Sequence, residues 1–273
     1  MAETHSEFVG SIPEIYDKHL GPLLFEHYAA DLAGRVTVPA GGRVLELACG
    51  TGIATERLRA ALPEDVEIVA TDLNEAMLDL ARDKRGDLPK VRYQVADALD
   101  LPFGDGSFDA VTCQFGVMFF PDKAAGAREA ARVLKPGGTY AFNVWDSLDR
   151  NPAIKIVQDT ISGFFDSDPP TFLLLPFGYH ALDPIVALLE DAGFGAIDIS
   201  VVPTVVERPS ARGVARGCVE GNPGIHEIHA RATAPAEEIV EAVAAALREN
   251  FGDAPLRTPL QAIVVTARKQ EKT

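Results

Sequence analysis

The residues of this sequence best suited to hold a ligand are two glycines and three carboxylates, each set at the end of a short apolar run. The run Arg43–Ala48 leads directly into Cys49-Gly50-Thr51-Gly52. Glycine at 50 and 52 lets the backbone turn sharply and approach a ligand where a β-carbon would collide. A turn of this kind belongs at the carboxyl end of a strand, where open α/β sheets bind nucleotide-like molecules. Two glycines alone also suit a dinucleotide enzyme, and two features argue against that. A dinucleotide fingerprint wants a third glycine so that pyrophosphate reaches the helix N-terminus, and Thr55 stands there instead. Glu46 also places a carboxylate just ahead of the turn, unwelcome beside a pyrophosphate and compatible with a sulfonium or ammonium. The ligand implied is cationic at that end.

Asp72 follows the second apolar run, about twenty residues beyond the glycines, the usual separation for a carboxylate that accepts both hydroxyls of a ribose. Asp97 follows the third run, between Ala96 and Ala98. A carboxylate there accepts the exocyclic amine of adenine, while the backbone N–H of Ala98 serves a ring nitrogen. Each acid taken alone reads as a solvated loop residue. Their placement at the ends of three successive strands points to a nucleoside.

The elements that must position these groups alternate through the first half of the chain. Arg43–Ala48, Val66–Thr71, Val91–Ala96, Phe108–Cys113 and Thr139–Trp145 read as strands; Ile53–Leu62, Glu75–Lys84 and Lys123–Leu134 read as helices. Asn74 and Asp122 are placed to cap the second and third helices, and Pro136-Gly137-Gly138 to stop the third. Such alternation implies a parallel sheet covered on both faces. After Trp145 the rhythm changes to a short helical pattern and an apolar, Pro-rich stretch. A regular unit returns with Asp183-Pro184, read as a cap with proline in the first turn. It runs into a strand at Phe194–Val202. Residues 209–252 read as helical, notably Pro235–Asn250, and Leu260–Ala267 closes the chain as a last strand. The division expected is a helical segment over 1–42 covering the ligand and a core over 43–150. Cap insertions at 151–180 and 209–256 form the acceptor pocket, and the rest of the core lies in 181–208 and 257–273.

The chain has 273 residues, enough for one large core with an elaborated lid, and carries a formal net charge of -15. That field repels a polyanion, and no basic patch overrides it, so nucleic acid is not an expected partner. Cys49, Cys113 and Cys218 are far apart and show no metal-ligand spacing, so no metal is expected. The opening MAETHSEF lacks the basic start and apolar run of a signal peptide, and the longest apolar stretches, such as Phe172–Phe177, are too short for a bilayer. A cytoplasmic protein with no membrane partner is expected.

The stretches VLELACGTG, VATDLNEAMLDLAR, VADALDLPFGDGSFDAV and EAARVLKPGGTYAFNVW resemble successive motifs of class I S-adenosylmethionine-dependent methyltransferases. The likeness is greatest to the ubiquinone/menaquinone-biosynthesis and methyltransferase type 11 groups. The resemblance implies an α/β, Rossmann-like fold. Its seven-stranded, mostly parallel sheet has helices on both faces, an antiparallel last strand and a helical cap. By the same resemblance Glu46, Ala48, Gly50 and Gly52 hold the methionine end of the cofactor, and Asp72 takes the ribose. Leu73 and Met77 pack near adenine, and Asp97 with Ala98 read its edge. Gln114 sits beside the donor methyl, and Tyr16 in the opening segment SIPEIYDKHLGPLLFEHYA closes over it. The departure from the pattern is Ala48-Cys49, where many relatives carry Gly-Cys or Asp-Cys, and a slight reshaping of contacts is expected there. A homodimer is common among such relatives.

Methyl transfer from a sulfonium is an in-line displacement that needs alignment, exclusion of water and, for some acceptors, a base. His180, His226 and His229 are the candidates for that base, since histidine titrates near neutral pH. The bland alternative for each is an exposed or core-satisfied histidine. Arg212 and Arg216 suit an anionic group on the acceptor or, more simply, a surface pair with Glu207 or Glu220. The apolar residues Ile154, Ile156, Phe164, Phe165, Phe172, Leu173 and Phe177 are core or, where they line a pocket, signs of a partly hydrophobic small-molecule acceptor. Competing functions are a non-catalytic S-adenosylmethionine-binding scaffold and an NAD(P)-dependent oxidoreductase.

Overall fold

The computed structural model describes residues 8–271. The first seven residues, on which the expectation about the N-terminus rests, lie outside the described residues. From the N-terminus the chain forms α1 (Ile12–Ile15), a π-helix (Tyr16–Phe25), α2 (Glu26–Gly34), β1 (Arg43–Leu47) and α3 (Ile53–Ala61). Then come β2 (Glu67–Asp72), α4 (Glu75–Arg85), β3 (Val91–Val95), β4 (Phe108–Gln114), α5 (Lys123–Val133) and β5 (Leu134–Trp145). The remainder is α6 (Pro152–Ser162), α7 (Leu182–Asp191), β6 (Phe194–Arg208), α8 (Ala211–Glu220), α9 (Gly224–Arg231), α10 (Ala236–Phe251) and β7 (Leu256–Lys269). The strands form one sheet in the order β3-β2-β1-β4-β5-β7-β6. The β1–β2, β1–β4, β2–β3 and β4–β5 pairs are parallel and β5–β7 is antiparallel, the mixed sheet expected.

The chain divides into two compact units. The first comprises residues 26–145, 179–201 and 262–273. Its central strands read as continuous apolar runs because both faces are covered, and Val44, Leu45, Leu47, Ile68, Val69, Ala110 and Val111 have no measurable exposure. Local chemistry sets the helix starts. The Asn74 side chain accepts from the N–H groups of Ala76 and Met77, and that of Asp122 accepts from Ala125 N–H, as expected of N-caps. Two details differ from expectation. The helix α5 ends at Val133, and Pro136-Gly137-Gly138 falls inside β5, where a register shift opposite Phe108–Ala110 takes up the extra residues. Asp183 is not a cap: α7 begins at Leu182 after Ala181, and Asp183 sits within its first turn, where its charge faces the positive end of the helix.

The second unit comprises residues 1–25, 146–178 and 202–261 and holds α1, the π-helix, α6, α8, α9 and α10. Gly217 on α8 and Gly221, which caps its C-terminus, let the N-terminal helices come close. A β-carbon at Gly217 would lie 2.8 Å from His19 Cβ, and one at Gly221 would lie 3.3 Å from the backbone nitrogen of Tyr16. The π-helix was not foreseen. Pro22 inside it has no N–H for an ordinary helical bond, a local reason for the wider turn. A small cavity in this unit is lined by Ile161, Phe172, Leu173, Cys218 and Ile228 among others.

Asn151 ties this unit's segments together. Its fully buried amide donates to the carbonyls of Asp146, Ser147 and Gln261, each at 3.1 Å, and its Oδ1 accepts from Gln261 N–H at 3.0 Å. Truncation removes the partner of Asp146 O and of Gln261 N–H, while Ser147 O and Gln261 O keep the N–H groups of Arg150 and Asp146, at about 1–3 kcal/mol for each group left without a partner. We expect Asn151→Ala to lower the unfolding free energy by at least about 2 kcal/mol in a urea titration. A midpoint equal to wild type at unchanged slope would refute this clamp.

Candidate functional site

The turn after β1 is built from three left-handed residues in five positions: Ala48 at φ 51°, Gly50 at 55° and Gly52 at 84°. Gly52 needs to be glycine for space as well, because a β-carbon there would lie 3.0 Å from Arg85 Cδ and 3.3 Å from Tyr93 Oη. Gly50 is different. A β-carbon on it would meet only Met77 Cε, at 3.7 Å, so the fold leaves open the space that side chains elsewhere would fill. Arg85 braces the turn from α4, donating to Thr51 O at 2.8 Å and pairing with Glu56 at 3.1 Å.

Asp72 ends β2 beside this turn. Its Oδ2 accepts Gly50 N–H at 2.8 Å and its Oδ1 accepts Asn74 N–H at 2.8 Å. One carboxylate thus fixes both the glycine turn and the entry to α4. Burial raises the pKa of Asp72, and the N–H groups of Asn74, Gly50 and Leu73 oppose the shift. Leu73, the next residue, is 60% exposed despite being apolar. An exposed leucine at the carboxyl edge of a sheet suits a flat ring laid over it. Met77 is buried, Asp97 is exposed and turns its Oδ1 to Leu99 N–H at 2.8 Å, and Ala98 is partly exposed beside it.

Glu46 is the electrostatic anomaly of the site. Its side chain is 1% exposed, and neither carboxylate oxygen has a donor at hydrogen-bonding geometry. Burial pushes its pKa up to about 8, with the Thr55 hydroxyl opposing, Asp72 adding to the shift and Arg85 opposing. A buried carboxylate without a donor is costly unless a cation completes it. Together with the open cradle at Gly50, it fits the ammonium and sulfonium of S-adenosylmethionine.

On the other side of β1, Gln114 ends β4 and is partly exposed. The backbone beyond it is fixed by Phe115, whose N–H reaches Asn143 Oδ1 at 2.9 Å and whose ring stacks on Trp145 at 4.0 Å. Gly116 lies against the glycine turn: a β-carbon there would sit 2.6 Å from Ala48 Cβ. The methyl group that distinguishes Ala48 occupies room that Gly116 leaves.

Glu46, Ala48, Gly50, Gly52, Asp72, Leu73, Met77, Asp97, Ala98, Gln114 and His180 all belong to the first unit. Tyr16, His226 and His229 belong to the second. There Tyr16 stacks on Phe25 at 5.1 Å, and both histidines are exposed on α9. His180 is partly buried next to Tyr179. Arg216 pairs with Glu220 at 3.3 Å and with Glu237 at 2.6 Å, and Arg212 pairs with Glu237 and Glu241, so both arginines make surface ion pairs. All three cysteines are buried thiols. One residue that shapes the glycine turn was missed in the sequence: Arg85 is hidden in a run of charges on α4.

A family model described as a methyltransferase domain matches residues 45–142. The chain is 34% identical over 191 residues to the ubiquinone/menaquinone biosynthesis C-methyltransferase UbiE of Idiomarina loihiensis, spanning 64% of this chain and 74% of that protein. The chain belongs to the UbiE-type S-adenosylmethionine-dependent methyltransferases. The demethylmenaquinone methyltransferase of Deinococcus radiodurans is 50% identical over 97 residues, covering 35% of this methyltransferase and 40% of the relative. Among solved structures, the YcgJ protein of Bacillus subtilis superposes with a TM-score of 0.58 at 21% identity, covering 90% of this chain and all of that one. A phosphoethanolamine N-methyltransferase 2 of Haemonchus contortus, solved with S-adenosyl-L-methionine, gives 0.60 at 16% identity and covers 95% of this chain and 57% of that one. The solved structures show the fold, and the family model and sequence relatives show a methyltransferase. Among the described residues no helix is long and apolar enough to cross a membrane.

The protonation of Glu46 makes a testable link to stability. The unfolded chain releases this proton near the ordinary carboxylate value of 4.5, and the folded chain holds it to about 8. Between those values the folded state binds more protons, so its stability falls as pH rises and levels off above the window. In the ligand-free protein, wild type should lose melting temperature relative to Glu46→Gln as pH is raised from about 5 to about 8. Parallel melting curves for the two proteins would show that Glu46 ionises normally.

Proposed function

We propose that this methyltransferase transfers the methyl group of S-adenosylmethionine to a carbon atom of a small, hydroxylated, quinol-type aromatic acceptor. The observation that carries the cofactor half is the buried, donorless Glu46 carboxylate beside an open glycine cradle. The acceptor half rests on the names of the relatives, C-methyltransferases of quinone biosynthesis. When bound, the cofactor supplies an electrophilic methyl group on a sulfonium.

The chain's own residues divide the remaining work. Glu46 meets the positive methionine end, and Ala48, Gly50 and Gly52 present backbone to it. Asp72 offers the ribose the lone pairs that Gly50 and Asn74 leave. Leu73 and Met77 supply apolar contact to adenine, and Asp97 with Ala98 reads its edge. Gln114 orients groups near the donor methyl, and Tyr16, in the other unit, is assigned no step. His180 is proposed to take the acceptor's proton, being the one of the three candidate histidines in the unit that carries the glycine turn. His226 and His229 are assigned no step.

Calorimetric titration should give micromolar binding of S-adenosylmethionine and S-adenosylhomocysteine and none of NAD. Incubation with 1,4-dihydroxynaphthalene under argon should yield a product one methyl heavier by mass. Asp72→Ala should weaken cofactor binding by about 1.5–3 kcal/mol, the usual worth of charge-assisted hydrogen bonds. Gly50→Val should abolish binding, since the new side chain fills ligand space and a β-branched residue strains the turn at φ 55°. Wild-type affinity in either variant would remove that residue from the site.

A further inference from the structure

The strand order assigns the two halves of the site to different sides of the sheet. The order β3-β2-β1-β4-β5 reverses direction between β1 and β4, and ligands of open α/β sheets bind outside the carboxyl ends of the strands at such a reversal. Asp72 and Asp97 lie on the β2–β3 side, which therefore takes the nucleoside. An acceptor in line with the methyl group must come from the β4–β5 side, beyond Gln114.

Lys123 stands on that side. It opens α5, the helix that follows β4, and so lies at the carboxyl edge of the sheet. Its Nζ donates to Phe120 O at 3.0 Å and sits 5.1 Å from the centroid of the Tyr179 ring. Asp122, its neighbour, is engaged in capping Ala125 and lies near Arg128 at 3.8 Å. Among the described residues no carboxylate pairs with Lys123. The contrast with other partly buried cations is plain: Arg132 has Glu129 at 2.7 Å, Lys135 has Asp109 at 2.8 Å, and Arg85 has Glu56 at 3.1 Å. In a chain with 40 acidic and 25 basic residues, a partly buried lysine without an acid is not explained by scarcity. Burial lowers the pKa of Lys123, so its ammonium already bears a desolvation cost that an anionic ligand oxygen would relieve.

We propose that Lys123, with Tyr179 beneath it, receives an ionised hydroxyl oxygen of the acceptor and so selects phenol- or enol-type molecules. This rests on the quinol-type acceptor proposed above. The hydroxyl proton leaves to water or to His180, and the ammonium holds the oxygen as its anion. The oxygen's negative charge raises electron density on the adjacent ring carbon. That carbon forms its bond to the methyl as the methyl–sulfur bond breaks, with the electron pair staying on sulfur. The carbon's own proton then leaves to solvent, restoring the aromatic ring, and no oxidant or reductant is needed.

The test uses the whole protein saturated with S-adenosylhomocysteine, with 1,4-dihydroxynaphthalene, 1-naphthol and the non-ionisable 1-methoxynaphthalene as probes. We expect both hydroxyl compounds to bind at least about tenfold tighter than the ether, the least that a charge-assisted hydrogen bond is worth. Their bound absorbance should show phenolate at a pH where the free compounds are neutral. Lys123→Met should abolish both effects, Lys123→Arg should keep part of them, and Tyr179→Leu should weaken them. All three variants should bind S-adenosylhomocysteine as wild type does, which separates acceptor loss from misfolding. Equal affinity for hydroxyl and ether, no binding of either hydroxyl compound, or unchanged selectivity in Lys123→Met overturns the proposal. If selectivity for phenolate is found without methylation of 1,4-dihydroxynaphthalene, the quinol assignment fails and the Lys123 site stands.

Discussion

The hydrogen bond from Gly50 N–H to Asp72 is the contact on which the rest of the site depends. A turn with three left-handed residues in five has no regular ladder to hold it, and its backbone donors need fixed partners. Asp72 supplies one from the neighbouring strand and, with its other oxygen, fixes the start of α4. From that start follow the Asn74 cap, the position of Met77 beneath the turn, and Arg85 three helical turns on, which returns to brace Thr51. The loop is thus held by the same helix it helps to begin. The parallel pairing of β1 with β2 sets the register that makes this possible, opposing Glu46 to Ala70 and bringing both strand ends to one edge.

Such a scaffold does not dictate its chemistry. A structure of the 4+2 cyclase SpnF shares the fold with a TM-score of 0.58 at 21% identity, so the fold alone does not fix the reaction. Beyond β4 and β5 this chain carries an aromatic stack of Phe115 on Trp145 and, on α5, a lysine that among the described residues has no acid partner.

The placement of Glu46, Asp72 and Asp97 at or just beyond the carboxyl ends of β1, β2 and β3 was legible in the sequence, because strand ends are the places a parallel sheet brings together. Glu46, Asp72 and Asp97 could therefore be grouped before any coordinates. The caps at Asn74 and Asp122 were legible for a similarly local reason. Where geometry depends on long-range contact, the sequence was mute. Arg85 reaches Thr51 across 34 positions, and Lys123 meets Tyr179 across a longer insertion. No periodicity announces either. The π-helix at Tyr16–Phe25 carries an ordinary amphipathic pattern, and only the glycines of α8 opposite it show how closely its backbone is approached. The misplaced cap at Asp183 shows the limit of local rules, since an acid one residue into a helix satisfies its dipole as well as one just before it.

Ala48 carries a methyl group in a left-handed conformation, and Gly116 is the residue that leaves room for it. The two positions share one methyl-sized space, although they lie on different loops. A side chain at either therefore constrains the other, and a chain with glycine at both would leave that space empty. A β-carbon at 116 would also lie 2.7 Å from Cys113 Sγ, so this position is held to glycine from two sides, one of them the strand end itself.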